Sequence, residues 1–200
     1  MQTANADRTG NFCGLGDGWT ETYTGIAFNI ADPQPEMFDI QDIAQGLSNV
    51  CRYGGQIEGD YKVAEHSCHV HDLLLPYGDD AAFAGLMHDA HEAYNGDALR
   101  PHKSRLGEYR ADSARLQRII EQLFGIDGWV YADIVKLADN SMLRTEARVL
   151  TYSGGTTWNW TDDHGQEVKA ADCLIMCWPA PVAKANFMSR FNRHRGSGLG

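Results

Sequence analysis

The sequence lacks several features that mark whole classes of protein. It contains no run of about 18 apolar residues, so no membrane-spanning helix is expected. Residues 1–18 are polar and glycine-rich, without the basic start and apolar centre of a signal peptide. The five cysteines form no CxxC pair, and their number is odd. Reduced thiols in a cytoplasmic protein therefore fit better than a disulfide framework.

Positive charge is also scarce. The chain has 17 Lys and Arg residues against 27 Asp and Glu residues, which gives a formal net charge of −10. Proteins that bind a nucleic-acid polymer normally present a basic face, so this class is not expected. A small anionic substrate is still compatible, because it needs only a local group of cations or a metal ion inside a pocket.

What is present fits one globular domain of 200 residues, of which 43% are hydrophobic. Apolar residues at helical spacing predict an all-α fold, with a small non-helical N-terminal segment that includes a short strand or hairpin at 19–30. The expected organisation is a flexible arm over 1–18, a domain over 19–192 and a disordered tail over 193–200. The predicted helices run from about Asp39, then over 61–75, 81–94, 109–124, 130–150 and 180–191.

The stretch 85–94 is the centre of the functional prediction. Its apolar residues recur at three- and four-residue spacing, yet His88, Asp89 and Glu92 lie among them. Polar groups on a half-buried helix need partners, and a divalent metal ion accepts a His nitrogen and an Asp oxygen. Glu92 follows one turn later, where a general acid or base would sit. A solvated polar face is the alternative interpretation.

Two more residues of ligand type fall on apolar helix faces. His66 shares its face with Val63 and Val70, and Asp139 interrupts the apolar stripe of helix 130–150. For His66 alone, a core His satisfied by a hydrogen bond is the simpler interpretation. Together with the His88-Asp89 pair, they suit a divalent ion, with a transition metal favoured and positions left for water and substrate.

Arg52 has two interpretations. It stands at the end of the first predicted helix, just before Gly54 and Gly55, where a cation can stabilise the helix end. The following glycines also allow a tight turn that passes close to a ligand. Arg52 is therefore either a helix-end cation or a phosphate contact.

The order of a His, a His-Asp pair and a distant Asp resembles that of the HD-domain metal-dependent phosphohydrolases. The finer resemblance is to the branch with the bacterial 5'-deoxynucleotidases of the YfbR type and the phage dATP triphosphohydrolases. It covers roughly 19–192. The matching segments are 40–44, 47–48, 51–55, 61–67, 86–97, 101–103 and 137–139, with Trp178, Pro181, Phe187, Arg190 and Phe191 near the end. One departure is Gln56, at a position where such enzymes often carry His.

The resemblance implies an HD-domain helical bundle and a role for each matching residue. The metal ligands would be His66, His88, Asp89 and Asp139. Glu92 and Asp97 would handle the proton and orient the attacking water, while Arg52 and Lys103 would hold phosphate oxygens.

The resemblance also implies a deoxynucleotide substrate. We expect hydrolysis of dATP to deoxyadenosine and triphosphate, as in phages that deplete dATP, with the aromatic segment that begins at Trp19 packing on the base. One alternative is a 5'-deoxynucleotidase that acts on deoxynucleoside monophosphates, and another is a non-catalytic HD module that binds a nucleotide. A cytoplasmic homo-oligomer is expected, in the host cytoplasm if a phage encodes it.

Overall fold

The computed structural model describes residues 18–196, which form a mainly helical fold with one small hairpin. The strands are β1 (Trp19–Glu21) and β2 (Ala27–Asn29). The helices in this part of the chain are α1 (Ile40–Asn49), α2 (Val63–Leu74), α3 (Asp79–Met87), α4 (Glu92–Asn95), α5 (Arg100–Lys103), α6 (Gly107–Phe124), α7 (Gly128–Leu150) and α8 (Ala180–Gly196). The predictions of a mainly helical chain and of a short N-terminal hairpin are confirmed. None of these helices is both long and apolar enough to cross a membrane.

The hairpin is fixed to the helices at two points. The backbone N–H and the hydroxyl of Thr24 donate hydrogen bonds to the carboxylate of Asp42 on α1, at 2.7 and 2.8 Å. Phe28, on β2, is fully buried and stacks on Tyr94 of α4 with a centroid distance of 4.5 Å. The antiparallel hairpin therefore covers the contact between α1 and α4.

Helix α1 begins and ends as its sequence predicts. The carboxylate of Asp39 accepts a hydrogen bond from the Gln41 N–H at 2.6 Å, which satisfies one of the free donors at the helix start. The chain then leaves the helix at Val50 and makes a tight turn over Arg52–Gly55. Tyr53 has a φ of 58° in this turn, a left-handed conformation that a tyrosine seldom adopts.

Helix α2 lies at the centre of the bundle and packs against α1, α3, α7 and α8. Two groups of buried apolar side chains surround it. The larger group, which includes Ile43, Leu47, Leu86, Leu116 and Phe187, joins α2 to α1, α3, α6 and α8. The smaller group, which includes Val70, Leu74, Ala82 and Met142, joins it to α3 and α7. Polar residues on α2 that face these neighbours are consequently deeply buried.

Gly85 permits the close approach of α3 to α2. A Cβ atom at this position would lie 2.6 Å from Leu74 Cδ1 and 3.2 Å from Val70 Cγ1. Any side chain here would push the two helices apart, and the residues that follow Gly85 would move away from α2. The glycine thus brings His88 next to the middle of α2.

The predicted helix 81–94 is not continuous. Helix α3 ends at Met87 and α4 begins at Glu92, because the hydrogen bonds between them shift to three-residue spacing. The Ala90 N–H bonds to the Met87 carbonyl at 3.1 Å, and the Glu92 N–H bonds to the Asp89 carbonyl at 3.0 Å. This tighter winding aligns residues three apart, which leaves Asp89 and Glu92 on one side. The sequence also favours Asp79 or Asp80 as the cap of this helix, but the cap of α3 is Gly78.

Three smaller expectations also need correction. Residues 193–196 continue α8, so this part of the predicted tail is helical, while 197–200 and most of the predicted arm lie outside the described residues. Apolar spacing in the predicted helices also indicates that Leu123 and Leu137 point inward, but they are 41% and 52% exposed. The buried stripe of α7 instead follows Ala138, Met142 and the positions after them, which leaves Leu137 on its edge.

Candidate metal centre

Three residues from different helical segments meet in one compact cluster. His66 comes from α2, His88 from the turn after α3, and Asp139 from α7. Each offers one ligand atom, and these atoms all lie within 4.8 Å of one another. His66 Nε2 is 3.1 Å from Asp139 Oδ1, and His88 Nε2 is 4.0 Å from the same oxygen.

Both imidazoles are held so that Nε2 faces the cluster. His66 Nδ1 lies 2.5 Å from Glu146 Oε1, and His88 Nδ1 lies 2.8 Å from the Gly85 carbonyl oxygen. Such acceptors favour the tautomer with the proton on Nδ1, which leaves a lone pair on Nε2. Both Nε2 atoms are buried and have no hydrogen-bond partner among residues 18–196. Two lone pairs and a carboxylate directed at one point are a set of donors that fits a divalent transition metal.

Asp89 borders this trio. Its Oδ2 lies 3.1 Å from His88 Nε2 and 3.8 Å from His66 Nε2. The same oxygen is 3.6 Å from Arg52 NH1, so the carboxylate lies between the cluster and a cation. The expected ligand set of His66, His88, Asp89 and Asp139 is thus brought to one place, with Asp89 at its edge.

The charged groups of the cluster shift one another's pKa values. Burial by itself would lower the pKa of His88, but the neighbouring Asp89 and Asp139 outweigh it and raise that pKa to about 9. Burial conversely raises the pKa of Asp139, while His66 and His88 lower it to about 2. In the absence of a cation, a proton on His88 would offset part of the negative charge of these carboxylates. A bound metal ion would replace that proton.

Arg52 belongs to this site and not to the end of α1. Its Nε donates to Glu146 Oε2 at 3.0 Å, and its side chain is 10% exposed. Burial opposes its charge, but Glu146, Asp139 and Asp89 reverse that effect and raise the pKa of Arg52 further. The guanidinium therefore faces the cluster, which favours the phosphate-contact interpretation over the helix-end interpretation.

A second group of charges lies beside the cluster. Lys103 Nζ, on α5, donates to Glu92 Oε1 at 2.7 Å and lies 3.0 Å from Asp97 Oδ1. Glu92 is 1% exposed, and its Oε2 has no hydrogen-bond partner within the described residues. Burial, together with the charges of Asp89 and Asp97, raises the pKa of Glu92 to about 9. Glu92 thus has the features of a proton carrier, with one oxygen held and the other free.

Trp19 is in a different setting. It pairs with Asn29 in the hairpin, which contacts α1 through Thr24 and α4 through Phe28. Its predicted contact with a base stays a prediction.

Similar proteins define a family for this chain. The chain is 34% identical over 173 residues to YfdR of Escherichia coli strain K12, an uncharacterized protein, and the match spans 86% of this chain and 93% of YfdR. It is 31% identical over 182 residues to RCAP_rcc00048 of Rhodobacter capsulatus, also an uncharacterized protein, with the same two coverages. The chain belongs to the YfdR family. No model of a described protein family matches it.

The names of these family members state no activity, so only the site indicates a function.

The site also contains a residue that the sequence analysis did not identify. Glu146 is fully buried and contacts His66, Arg52 and Tyr53. The spacing in the sequence could have indicated Glu146, because it follows Asp139 by seven residues. Two turns of helix separate the two residues, so they lie on the same face of α7.

Proposed function

We propose that this protein is an HD-type metal-dependent phosphohydrolase that acts on a deoxynucleotide. The observation that carries the proposal is the convergence of two buried Nε2 atoms, those of His66 and His88, on Asp139. Two imidazole nitrogens and a carboxylate directed at one point are the donors that a divalent metal ion accepts. The HD-domain resemblance gives the same three residues, together with Asp89, the role of metal ligands.

His66, His88 and Asp139 would hold the ion, with Asp89 beside them. A divalent ion there would acidify a water molecule and polarise a phosphoryl oxygen, which are the two contributions that hydrolysis of a phosphate ester needs. The hydrogen bonds on both Nδ1 atoms keep the imidazoles in the orientation and tautomer that binding requires.

Glu92 would handle the proton in this reaction. Its Oε1 is held by Lys103, while its buried Oε2 is free to take up a proton or to deliver one to the leaving oxygen. Asp97 shares Lys103 with Glu92 and keeps the lysine in place. A positioned acid or base of this kind contributes about 10²- to 10⁴-fold to a rate.

Arg52 and Lys103 are the cations for the phosphate. Arg52 uses Nε for Glu146, which leaves other guanidinium N–H groups for a phosphoryl oxygen. Charge-assisted hydrogen bonds of this type also stabilise the negative charge that builds up in the transition state.

The substrate we propose is dATP, cleaved to deoxyadenosine and triphosphate. Two cations beside a divalent ion suit a multiply charged phosphate chain, and the resemblance to phage dATP triphosphohydrolases favours the same substrate. A deoxynucleoside monophosphate is the second candidate, and one observation favours it. Lys103 is already shared by Glu92 and Asp97, and Arg52 is bound to Glu146, so the positive charge left for a triphosphate is limited.

One experiment separates these candidates. The purified protein, loaded with Mn²⁺, Co²⁺ or Zn²⁺, is incubated with each deoxynucleoside mono- and triphosphate, and the products are identified by chromatography. We expect deoxyadenosine and inorganic triphosphate from dATP. Faster release of orthophosphate from dAMP would establish the 5'-deoxynucleotidase instead. Metal-dependent binding without turnover of any nucleotide would indicate a non-catalytic nucleotide-binding module.

A further inference from the structure

Glu146 joins the two halves of the candidate site, although it faces no open space. It is fully buried on α7, and three side chains bond to its carboxylate. His66 Nδ1 lies 2.5 Å from Oε1, while Arg52 Nε and the Tyr53 hydroxyl each donate to Oε2 at 3.0 Å. One oxygen thus serves a candidate metal ligand, and the other serves a candidate phosphate contact.

The turn that carries Arg52 is shaped to reach this carboxylate. Arg52 and Tyr53 are neighbours in the tight turn Arg52–Gly55, and both side chains bond to Glu146 Oε2. The left-handed conformation of Tyr53, with φ of 58°, brings them to the same side. Such a conformation is unfavourable in a residue other than glycine and persists only where surrounding contacts impose it.

His66 lies between two carboxylates of the same helix. Asp139 faces its Nε2 at 3.1 Å, and Glu146 faces its Nδ1 at 2.5 Å. Only the Nε2 side belongs to the compact cluster of ligand atoms. Glu146 therefore fixes the orientation of the ring without being a ligand itself, in the manner of a carboxylate that supports a metal-bound histidine.

We propose that Glu146 is a positioning residue that orients His66 toward the metal and Arg52 toward the substrate phosphate, so that one side chain couples the two subsites. This inference rests on the proposed function, since it takes His66 as a ligand and Arg52 as a phosphate contact. It requires that removal of the Glu146 charge weaken both subsites together.

A matched control is available on α2. Glu65 is also fully buried, but it accepts hydrogen bonds from the backbone N–H groups of residues 176–178 and belongs to no part of the candidate site. Glu146→Gln and Glu65→Gln each remove one buried negative charge at nearly constant volume. A general effect of losing a buried charge should therefore appear in both variants. An effect on the candidate site should appear only in Glu146→Gln.

The test measures binding and not turnover. Co²⁺ affinity is determined by calorimetry, and the affinity of the Co²⁺-loaded protein for inorganic phosphate is then determined by the same method. We expect Glu146→Gln to weaken Co²⁺ binding by about tenfold or more and to weaken phosphate binding as well. Glu65→Gln should leave both affinities within about twofold of the parent protein. An unchanged affinity for either Co²⁺ or phosphate in Glu146→Gln, or the same loss in both variants, would overturn the proposal.

Tyr53→Phe provides the test if Glu146→Gln does not fold. It removes one hydrogen bond to Glu146 and leaves the carboxylate and both of its charged partners in place. A smaller but measurable loss of Co²⁺ affinity, about threefold, supports the coupling, and an unchanged affinity contradicts it. A parent protein that binds no Co²⁺ at all would instead reject the proposed function, which distinguishes the two failures.

Discussion

Helix α2 carries two kinds of polar group, and their surroundings differ. Towards α8 and the segment before it, Glu65 accepts three backbone hydrogen bonds, and Asp72 binds Arg190 through two contacts of 2.9 and 2.6 Å. Towards α3 and α7, His66 meets His88 and Asp139. We refer to Glu65 and Asp72 with their donors as the closed network, and to His66, His88, Asp89 and Asp139 as the open cluster.

The difference lies in which atoms remain unpartnered. Both carboxylates of the closed network have donors on both oxygens, so the network holds segments together and needs nothing more. In the open cluster, the two buried Nε2 atoms lack a hydrogen-bond partner within residues 18–196, and they face the same carboxylate. Buried polar atoms are nearly always paired in folded proteins. Unpartnered atoms that converge on one point therefore indicate the place of a ligand.

The strongest test of this comparison removes one ligand from the open cluster. His88→Ala should abolish bound divalent metal and, with it, any hydrolytic activity, because it deletes one of the two converging lone pairs. Elemental analysis of the purified protein measures the metal. His164→Ala, which changes an exposed histidine, is the control and should keep the metal of the parent protein. A full complement of metal in His88→Ala would refute the assignment.

The charges in and beside the open cluster should also make the stability of the metal-free protein depend on pH. The folded-state pKa of His88 is raised from its ordinary value of 6.5 to about 9, so its stabilising protonation is complete below pH 6.5 and is lost as pH rises through 9. Glu92, raised from 4.5 to about 9, acts in the same direction, because the unfolded chain ionises first. His88 alone should cost the metal-free protein about 3 kcal/mol of unfolding free energy between pH 6.5 and 9, and Glu92 adds to this loss.

Urea unfolding of the chelator-treated protein at several pH values measures this effect. The metal-loaded protein should behave in the opposite way over the same range, since the ion binds deprotonated histidines and competes with protons at low pH. A metal-free protein whose stability stays constant or rises between pH 6.5 and 9 would contradict the charge arrangement described for the cluster.

Glu92→Gln separates chemistry from metal binding. The variant should keep its metal, because Glu92 is not among the three clustered ligands, but should lose turnover by about 10²-fold or more. Steady-state kinetics with elemental analysis of the same sample checks both parts. Turnover at the rate of the parent protein would leave Glu92 with no role in the reaction.

The sequence could predict the members of the open cluster better than its arrangement. His66, His88 and Asp139 were recognisable because each is a ligand-type residue on an apolar helix face, which local periodicity reveals. The break between Met87 and Glu92 could not be predicted from the sequence. The change to three-residue hydrogen bonding depends on how α3 packs against α2, and it does not alter the spacing of the apolar residues.

Glu146 escaped prediction for a related reason. A glutamate two turns after Asp139 is usually solvated, since Glu is almost never fully buried unless it is paired. Its partners Arg52 and Tyr53 are more than 90 residues away in sequence, so only the fold brings them together. The closed network was equally hidden, because three of its donors are backbone N–H groups.

Arg52→Ala tests the cation at the edge of the open cluster. A charge-assisted contact with a phosphate contributes about 1.5–3 kcal/mol, so the KM for the substrate should rise by about 10- to 100-fold while metal content is retained. Arg52→Lys, which keeps the charge but not the forked geometry, should be intermediate. An unchanged KM with reduced thermal stability would mean that Arg52 only compensates the buried charge of Glu146.

The smallest expected effect concerns the closed network. Asp72→Asn keeps an acceptor for His71 but replaces the charge that pairs with Arg190. Because the Asp72 side chain is 42% exposed, solvent screens this ion pair, and the loss should be only about 1 kcal/mol of unfolding free energy. Urea unfolding measures the loss, and metal content should stay at the level of the parent protein, since Asp72 contacts no member of the open cluster among the described residues. A fall in bound metal in this variant would show that the two networks on α2 are coupled through the helix, and the distinction between a structural and a functional side of α2 would then fail.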